Sequence, residues 1–314
     1  MSEKLSRREF IRTTGKIGCF TGMGLLMNQR IFPREDLKKR SSDFDLVLVQ
    51  GSPEQAVRKG LQHWGGLKKF IRPNDTILLK PNVSFPNPKE WGSTTSPEVV
   101  STVAKLALEA GAARVIVADN TMREGDLCFR KTGLSEALKD IPKVKVLPLQ
   151  KESFFHDSKV VDGKALHTVQ SAKLIERCDV LINLPCAKSH SATKVSFGLK
   201  NLMGLIWDRN YFHSNTDLHR AIAELATVIR PHLTILDASR ALVTGGPTGP
   251  GKVRDLSSIL IGTDPLAVDA YAVTMANWNN RMEKVEFVKH LAFASKLGVG
   301  NIDVKTLSVR AEQV

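Results

Sequence analysis

The chain has 314 residues, of which 42% are hydrophobic and 25% charged, and its formal net charge is +13. That is enough apolar material for one large α/β domain or two small ones without disulfide support. Aromatic residues make up only 6%, and no clustered basic face follows residue 40, which argues against nucleic-acid binding.

Residues 1–40 hold ten Lys or Arg against four Asp or Glu, so the rest of the chain is only moderately basic. Residues 1–32 read as an export segment. Ser6-Arg7-Arg8-Glu9-Phe10-Ile11-Arg12 resembles the twin-arginine motif, and an apolar stretch from Ile17 to Met27 follows it. That stretch is about eleven residues, short of the ~20 that span a bilayer, so no stable transmembrane span is expected. Periplasmic or otherwise exported placement by the twin-arginine machinery follows from this reading. The other reading is an ordinary basic amphipathic helix. Residues 33–42 form a charged linker, and residues 43–314 read as one α/β domain, with a small sub-domain at 122–170.

Phe44 to Val49 has the pattern of a strand. Ser52-Pro53-Glu54 opens a helix that runs to Trp64, with Ser52 as cap and Pro53 in the first position. Thr76 to Leu79 is a short buried strand, and Lys80-Pro81-Asn82 follows directly. A cation and an amide at a strand end make a candidate binding wall, although a Lys snorkelling there is common. Ser96-Pro97-Glu98 opens a second helix, which Gly111 ends. Arg114 to Ala118 is a strand closed by Asp119, which suits a metal, a hydroxyl or a partner Lys, and equally a helix cap.

A short helix at Leu134 to Leu138, a strand at Val144 to Leu149 and a hairpin around Asp162-Gly163-Lys164 follow. Ser171 is expected to cap a short helix ending at Cys178. The stretch Asp179–Gly204 then organises the rest. It opens as a buried strand, Val180 to Leu184, breaks at Pro185, lays out Lys188, Ser189, His190, Ser191, Thr193 and Lys194, and ends in Gly198-Leu199-Lys200-Asn201. So many donors and cations beyond a strand end fit a small anionic ligand.

Asp217 caps a helix, and Leu233 to Leu236 is a strand closed by Asp237. The glycine-rich loop containing Gly246 and Gly249 offers backbone amides to an anion or serves as a structural turn; it does not have P-loop spacing. After the strand Ser257 to Ile261, Thr263 or Asp264 caps a helix that carries Asp269 on an apolar face, where a carboxylate needs a partner. A helix from Glu283 to Leu297 and a strand from Thr306 to Val309 complete the chain. Alternating strands and helices predict a mostly parallel central sheet covered by helices on both faces, with a small β excursion.

Of the four cysteines, Cys19 lies in the export segment, and Cys128, Cys178 and Cys186 remain. No C-x-x-C occurs, so neither a zinc ribbon nor a local iron–sulfur motif is encoded. One disulfide joining Cys128 to Cys178 or Cys186 and buried free thiols are both open.

Lys80-Pro81-Asn82, Asp119, the K-S-H and G-L-K-N elements of Asp179–Gly204, Asp237, the G-G-P-T-G-P loop and T-D-P-L-A-V-D-A together resemble the domain of unknown function 362 family, over roughly residues 44 to 275. The resemblance implies little about activity. Some members of that family carry an appended ferredoxin-like module, which makes a redox partner an open implication. The cysteine clusters of that module are absent from this sequence.

Two function classes fit. In the first, an enzyme acts on a small anionic or carbonyl-bearing molecule. Lys80, Lys188 and Lys200 supply charge, or one lysine of lowered pKa serves as base or nucleophile, and His190 transfers protons. Asn82, Asn201, Ser189, Ser191, Gly246 and Gly249 contact the ligand. Asp119, Asp237, Asp264 and Asp269 orient the lysines or hold a divalent metal. In the second, the same groups belong to a non-catalytic protein that binds an anion or a redox cofactor. A third class, a metal or iron–sulfur site on the three cysteines and His190, is the least favoured by the spacing.

Overall fold

A computed structural model describes residues 44–314, so the expected export segment, residues 1–32, and the expected linker, residues 33–42, lie outside the described residues. In chain order the elements are β1 (Leu46–Gln50), α1 (Pro53–His63), β2 (Thr76–Pro81), α2 (Pro97–Glu109), β3 (Arg114–Asp119), α3 (Gly125–Lys131), α4 (Leu134–Leu138) and β4 (Val144–Pro148). They are followed by β5 (Phe155–Lys159), β6 (Thr168–Ala172), α5 (Leu174–Arg177), β7 (Val180–Leu184), β8 (Cys186–His190), β9 (Lys194–Ser196), α6 (Gly198–Asn201) and α7 (Arg209–Ser214). The chain ends with α8 (Leu218–Val228), β10 (Leu233–Leu242), β11 (Val253–Gly262), α9 (Pro265–Thr274), α10 (Lys289–Lys296) and β12 (Val309–Gln313).

The main sheet runs in the order β12-β1-β11-β10-β7-β2-β3-β4, with β8 and β9 branching beside β10. Pairings from β10 through β7, β2 and β3 to β4 are parallel, whereas β11 is antiparallel to both β1 and β10. The expected mostly parallel sheet with helices on both faces is therefore what forms. Side chains alternate across each strand. Val47, Ile77, Leu79, Val115, Val117 and Ile182 pack beneath α1, α2 and α4. Leu46, Leu78, Leu181, Leu236 and Leu260 face the opposite way, toward α8, α9 and α10. The β excursion is the two-stranded β5–β6 sheet. Buried Glu224 on α8 holds the connection between these strands, accepting from the backbone N–H groups of Lys164, Ala165 and Leu166.

Several boundaries differ from the sequence expectation, each for a visible reason. The chain does not become a loop after Pro185. It re-forms as β8, which pairs with β10 at Asp237↔Cys186 and turns back as β9. Strand β10 does not stop at Leu236; it runs through Asp237 to Leu242 across a bulge, because β11 pairs along its length. Ser171 belongs to β6 and caps no helix; its hydroxyl bonds Ser158 across the hairpin at 2.7 Å. The expected helix at 283–297 is α10 alone, preceded by a single 3₁₀ turn, since Val288 at φ −85° and ψ 90° breaks helical geometry. The last strand starts three residues further on than expected and ends four further on, at the sheet edge beside β1, where a polar sequence is usual. Cys128, Cys178 and Cys186 are all buried and free, so the disulfide does not form.

Candidate functional site

The order of strands creates the site. From β2 the chain moves outward to β3 and β4, then returns to place β7 on the other side of β2. The crevice beyond the carboxyl ends of two such neighbouring strands is where ligands bind in open α/β sheets. Here it receives Lys80 and Pro81 from the end of β2, Asn82 just beyond it, Asp119 from the end of β3 and Pro185 after β7. The short helix α6 lies across these ends, carrying Lys200 and Asn201. Asp269 of α9 fixes α6 from behind, its two carboxylate oxygens accepting from Gly198 N at 2.7 Å and Leu199 N at 2.9 Å. Burial pushes Asp269 up to about 7, against the pull of those two bonds.

The floor is a closed polar network. Lys80, 0% exposed, pairs with Asp119 at 3.0 Å and donates to Asn201 Oδ1 at 3.2 Å. Asp119 also receives Arg209 Nη2 at 2.9 Å and Val83 N at 2.8 Å. Burial lowers Lys80 to about 8, although Asp119 opposes the shift. Asn201 is the hub: its Oδ1 also accepts from Asn82 Nδ2 at 3.0 Å, and its Nδ2 donates to Asn183 Oδ1 at 2.8 Å and Lys80 O at 3.0 Å. Such a network specifies one arrangement because every member is satisfied. It also requires Gly204, where a Cβ would collide with both Asp119 Oδ1 and Lys80 Nζ. Gly204→Ala is expected to push this pair apart and to cost about 3 kcal/mol or more in urea unfolding.

Above the floor is a cavity of about 100 Å³, lined on its polar side by Asn82, Lys188, His190, Lys200, Asn201 and Arg209. That is room for a ligand of a few heavy atoms. Phe85, Met122, Met203 and Pro247 supply apolar wall. Lys188 is held by Asn82 Oδ1 at 3.0 Å and Ser93 O at 2.7 Å, and burial lowers its pKa. Lys200, 8% exposed, reaches only the thioether of Met203, at 3.6 Å. Burial lowers it to about 7, with the Arg209 and Lys188 charges acting in the same direction. Among the described residues, neither Lys188 nor Lys200 has a carboxylate within salt-bridge distance.

His190 closes one side. Its Nδ1 accepts from Ala192 N at 3.2 Å and Thr193 N at 3.3 Å, which assigns the ring proton to Nε2. Burial, then Lys200 and Lys188, lower it to about 2, so the ring is neutral at physiological pH. In that form its Nε2–H is a hydrogen-bond donor and its Nδ1 is already engaged. His213 stacks on it at 6.5 Å between ring centroids, at the cavity mouth.

Other expected site residues lie elsewhere. Asp237 is saturated by Ser96 (N at 2.7 Å, Oγ at 2.6 Å) and Ser239 (N at 3.0 Å, Oγ at 2.6 Å), which ties β10 to the start of α2. Asp264 caps α9 and accepts from Asn301 N at 2.7 Å. Ser191 is in the exposed β8–β9 turn. Ser189 is turned away from the cavity and accepts from Gly246 N at 3.1 Å, while Gly249 N is used by Gly245 O. The loop amides are thus spent internally, and Pro247 is the part of the loop that reaches the cavity. No group of three or more His, Cys, Asp or Glu placed to hold a metal occurs among the described residues. Burial raises the thiols, Cys128 and Cys186 to about 11 and Cys178 to about 12, which keeps them protonated at neutral pH.

Sequence reasoning missed Arg209, although a signal existed. Asp208 caps α7 with a bond from Tyr211 N at 2.9 Å, and Arg209 and His213, four residues apart, then share a helix face.

The family model described as a domain of unknown function, DUF362, matches residues 77–274. A thylakoid-associated protein, sll1697, from Synechocystis sp. is 29% identical over 226 residues, covering 70% of this chain and 68% of that protein. Among solved structures, the lactate racemase apoprotein from Thermoanaerobacterium thermosaccharolyticum aligns with a TM-score of 0.42 and 13% sequence identity. The alignment covers 80% of this chain but only 56% of the racemase chain, and nothing about activity transfers at that level of likeness. With a family match over well more than half its length, spanning every cavity residue named above, the chain belongs to the DUF362 family.

Proposed function

We propose that the cavity captures a small oxyanion, a carboxylate or an inorganic anion of similar size, in a ring of cationic and neutral N–H donors. The observation that carries this reading is the charge imbalance. Lys188, Lys200 and Arg209 line the cavity, and among the described residues the one carboxylate ion-paired with any of them is Asp119, which Arg209 already shares with Lys80. Buried charges without partners are costly, so a site of this kind is built for a charge that arrives from solution. Hydrogen-bonding capacity agrees. Lys188 has one donor unused of three, Arg209 has two N–H groups unused of five, and the Nε2–H of His190 is available.

The experiment is isothermal calorimetry of the full chain against acetate, phosphate and sulfate across a pH series. Lys200 is lowered to about 7, and its protonated form favours the anion. Affinity is therefore expected to fall as pH rises through about 7 and to level off where Lys200 is neutral. Absence of binding to any of these anions at pH 6 would end the proposal.

A further inference from the structure

The three cavity-region lysines differ in what holds their protons. Lys80 faces a carboxylate and two oxygen acceptors, and Lys188 faces an amide oxygen and a backbone carbonyl. Acceptors of that kind favour the ammonium form. Lys200 has only a thioether sulfur, a weak acceptor. Of these three lysines it is the one whose lone pair is available for chemistry, and Lys200 lines the cavity together with Lys188 and Arg209, which are able to hold a carboxylate.

We infer that Lys200 is a nucleophilic amine that condenses with a 2-oxo carboxylate, whose carboxylate is held by Lys188 and Arg209. The inference rests on the oxyanion reading above. The neutral Nζ attacks the carbonyl carbon, a C–N bond forms, the carbonyl π electrons move to oxygen, and one of the two amine protons passes from nitrogen to that oxygen. The resulting carbinolamine loses the oxygen as water: the C–O bond breaks, the nitrogen lone pair forms C=N, and the remaining N–H proton goes to the departing oxygen. Amine and ketone become imine and water, with no oxidant or reductant required. The Nε2–H of His190 is a donor for the developing oxygen, the role in which a neutral imidazole is most effective.

The surroundings make the neutral amine accessible near pH 7. Lys200 is faced by Lys188 and His190 from β8, Arg209 and His213 from α7, His219 at the start of α8 and His290 from α10. None of these is a carboxylate. His290 is fully buried with neither ring nitrogen bonded, and burial lowers it to about 3, so it adds no charge near neutral pH. A desolvated lysine among cations is a recognised route to an amine active at neutral pH.

The test is reductive trapping. The full chain is incubated with pyruvate and sodium cyanoborohydride, and modified lysines are mapped by peptide mass spectrometry. Trapping at Lys200, absent from Lys80 and Lys188, blocked by excess acetate and lost in Lys200→Arg, supports the inference. The trapping rate is expected to rise through pH 7, opposite to the affinity for simple anions. Pyruvate that binds by calorimetry without a trapped adduct overturns imine formation while leaving oxyanion capture standing. Modification spread over exposed lysines, with no preference for Lys200, overturns it as well. If neither pyruvate nor any simple anion binds, both readings fail together.

Discussion

Lys200→Met is expected to weaken oxyanion binding about 100-fold and, at the same time, to make the empty protein more stable. The first effect follows from removing a cation that faces the ligand. Truncating one member of a buried charge pair costs roughly 2–5 kcal/mol, on the order of 100-fold in affinity. The second follows from desolvation. Lys200 is lowered from 10.5 to about 7 in the fold, so between these values the unfolded chain binds more protons than the folded one. Stability then rises with pH across that window, and below about pH 7 the full penalty of the buried cation applies, on the order of a few kcal/mol. Methionine has similar length and no charge, so its variant lacks that contribution. The checks are a calorimetric titration and urea unfolding midpoints at pH 6.5, 8 and 9.5. The variant should gain most over wild type at the lowest of these, with its advantage shrinking as pH rises. Lys80, lowered to about 8, contributes a slope of the same sign and should leave it in both proteins.

Asp119→Asn is expected to have the opposite effect on stability and to be the most damaging single change in the floor. Asp119 is 0% exposed, and it carries the only negative charge bonded to Lys80 and Arg209 among the described residues. An amide keeps the shape but removes the charge, and its NH₂ group must face either a guanidinium, an ammonium or the Val83 N–H, all of them donors. Breaking a buried pair from one side costs about 3–5 kcal/mol, because the other charge stays behind. Urea unfolding should show a lower midpoint with an unchanged slope. The double variant Lys80→Met/Asp119→Asn should recover part of the loss, since the two single changes remove a shared interaction and are not additive. A double-variant loss equal to the sum of the separate Asp119→Asn and Lys80→Met losses would show that the pair has no coupling and that the floor is held by Asn201 instead.

The contrast between Asp119 and Asp237 shows how far the site could be read from sequence. Both follow apolar strand residues, and nothing local distinguishes them. One proves to be the counter-ion of the floor and the other a joint between β10 and α2. The difference lies in Ser239, two residues on, and in Ser96 at the start of α2, which only the assembled fold brings to Asp237. Lys80, Asn82, Lys188, His190, Lys200 and Asn201 were legible because a buried strand pattern stopped abruptly at polar residues on each side of one crevice. The glycine loop misled for a related reason. Glycine spacing suggested available amides, but the hydroxyl of Ser189 and the carbonyl of Gly245 use them. The helical caps were local and mostly readable, as Asp217 and its bonds to His219 N and Arg220 N show. The continuation of β10 past Asp237 was not, because the reason for it is a partner strand.

The interleaving of β7 between β2 and β10 has a consequence for how occupancy would register in experiment. Lys80 and Asn201 are 121 positions apart, yet each relies on the other's bonds, and the strands that bring them together form the middle of the sheet. The receptor surface cannot open by fraying one loop while the remainder stays intact. Whatever occupies it is thermodynamically linked to the global transition, and its contribution grows with the logarithm of its free concentration. Amide protons at the centre of the sheet, remote from any contact with the guest, should therefore exchange more slowly when it is present.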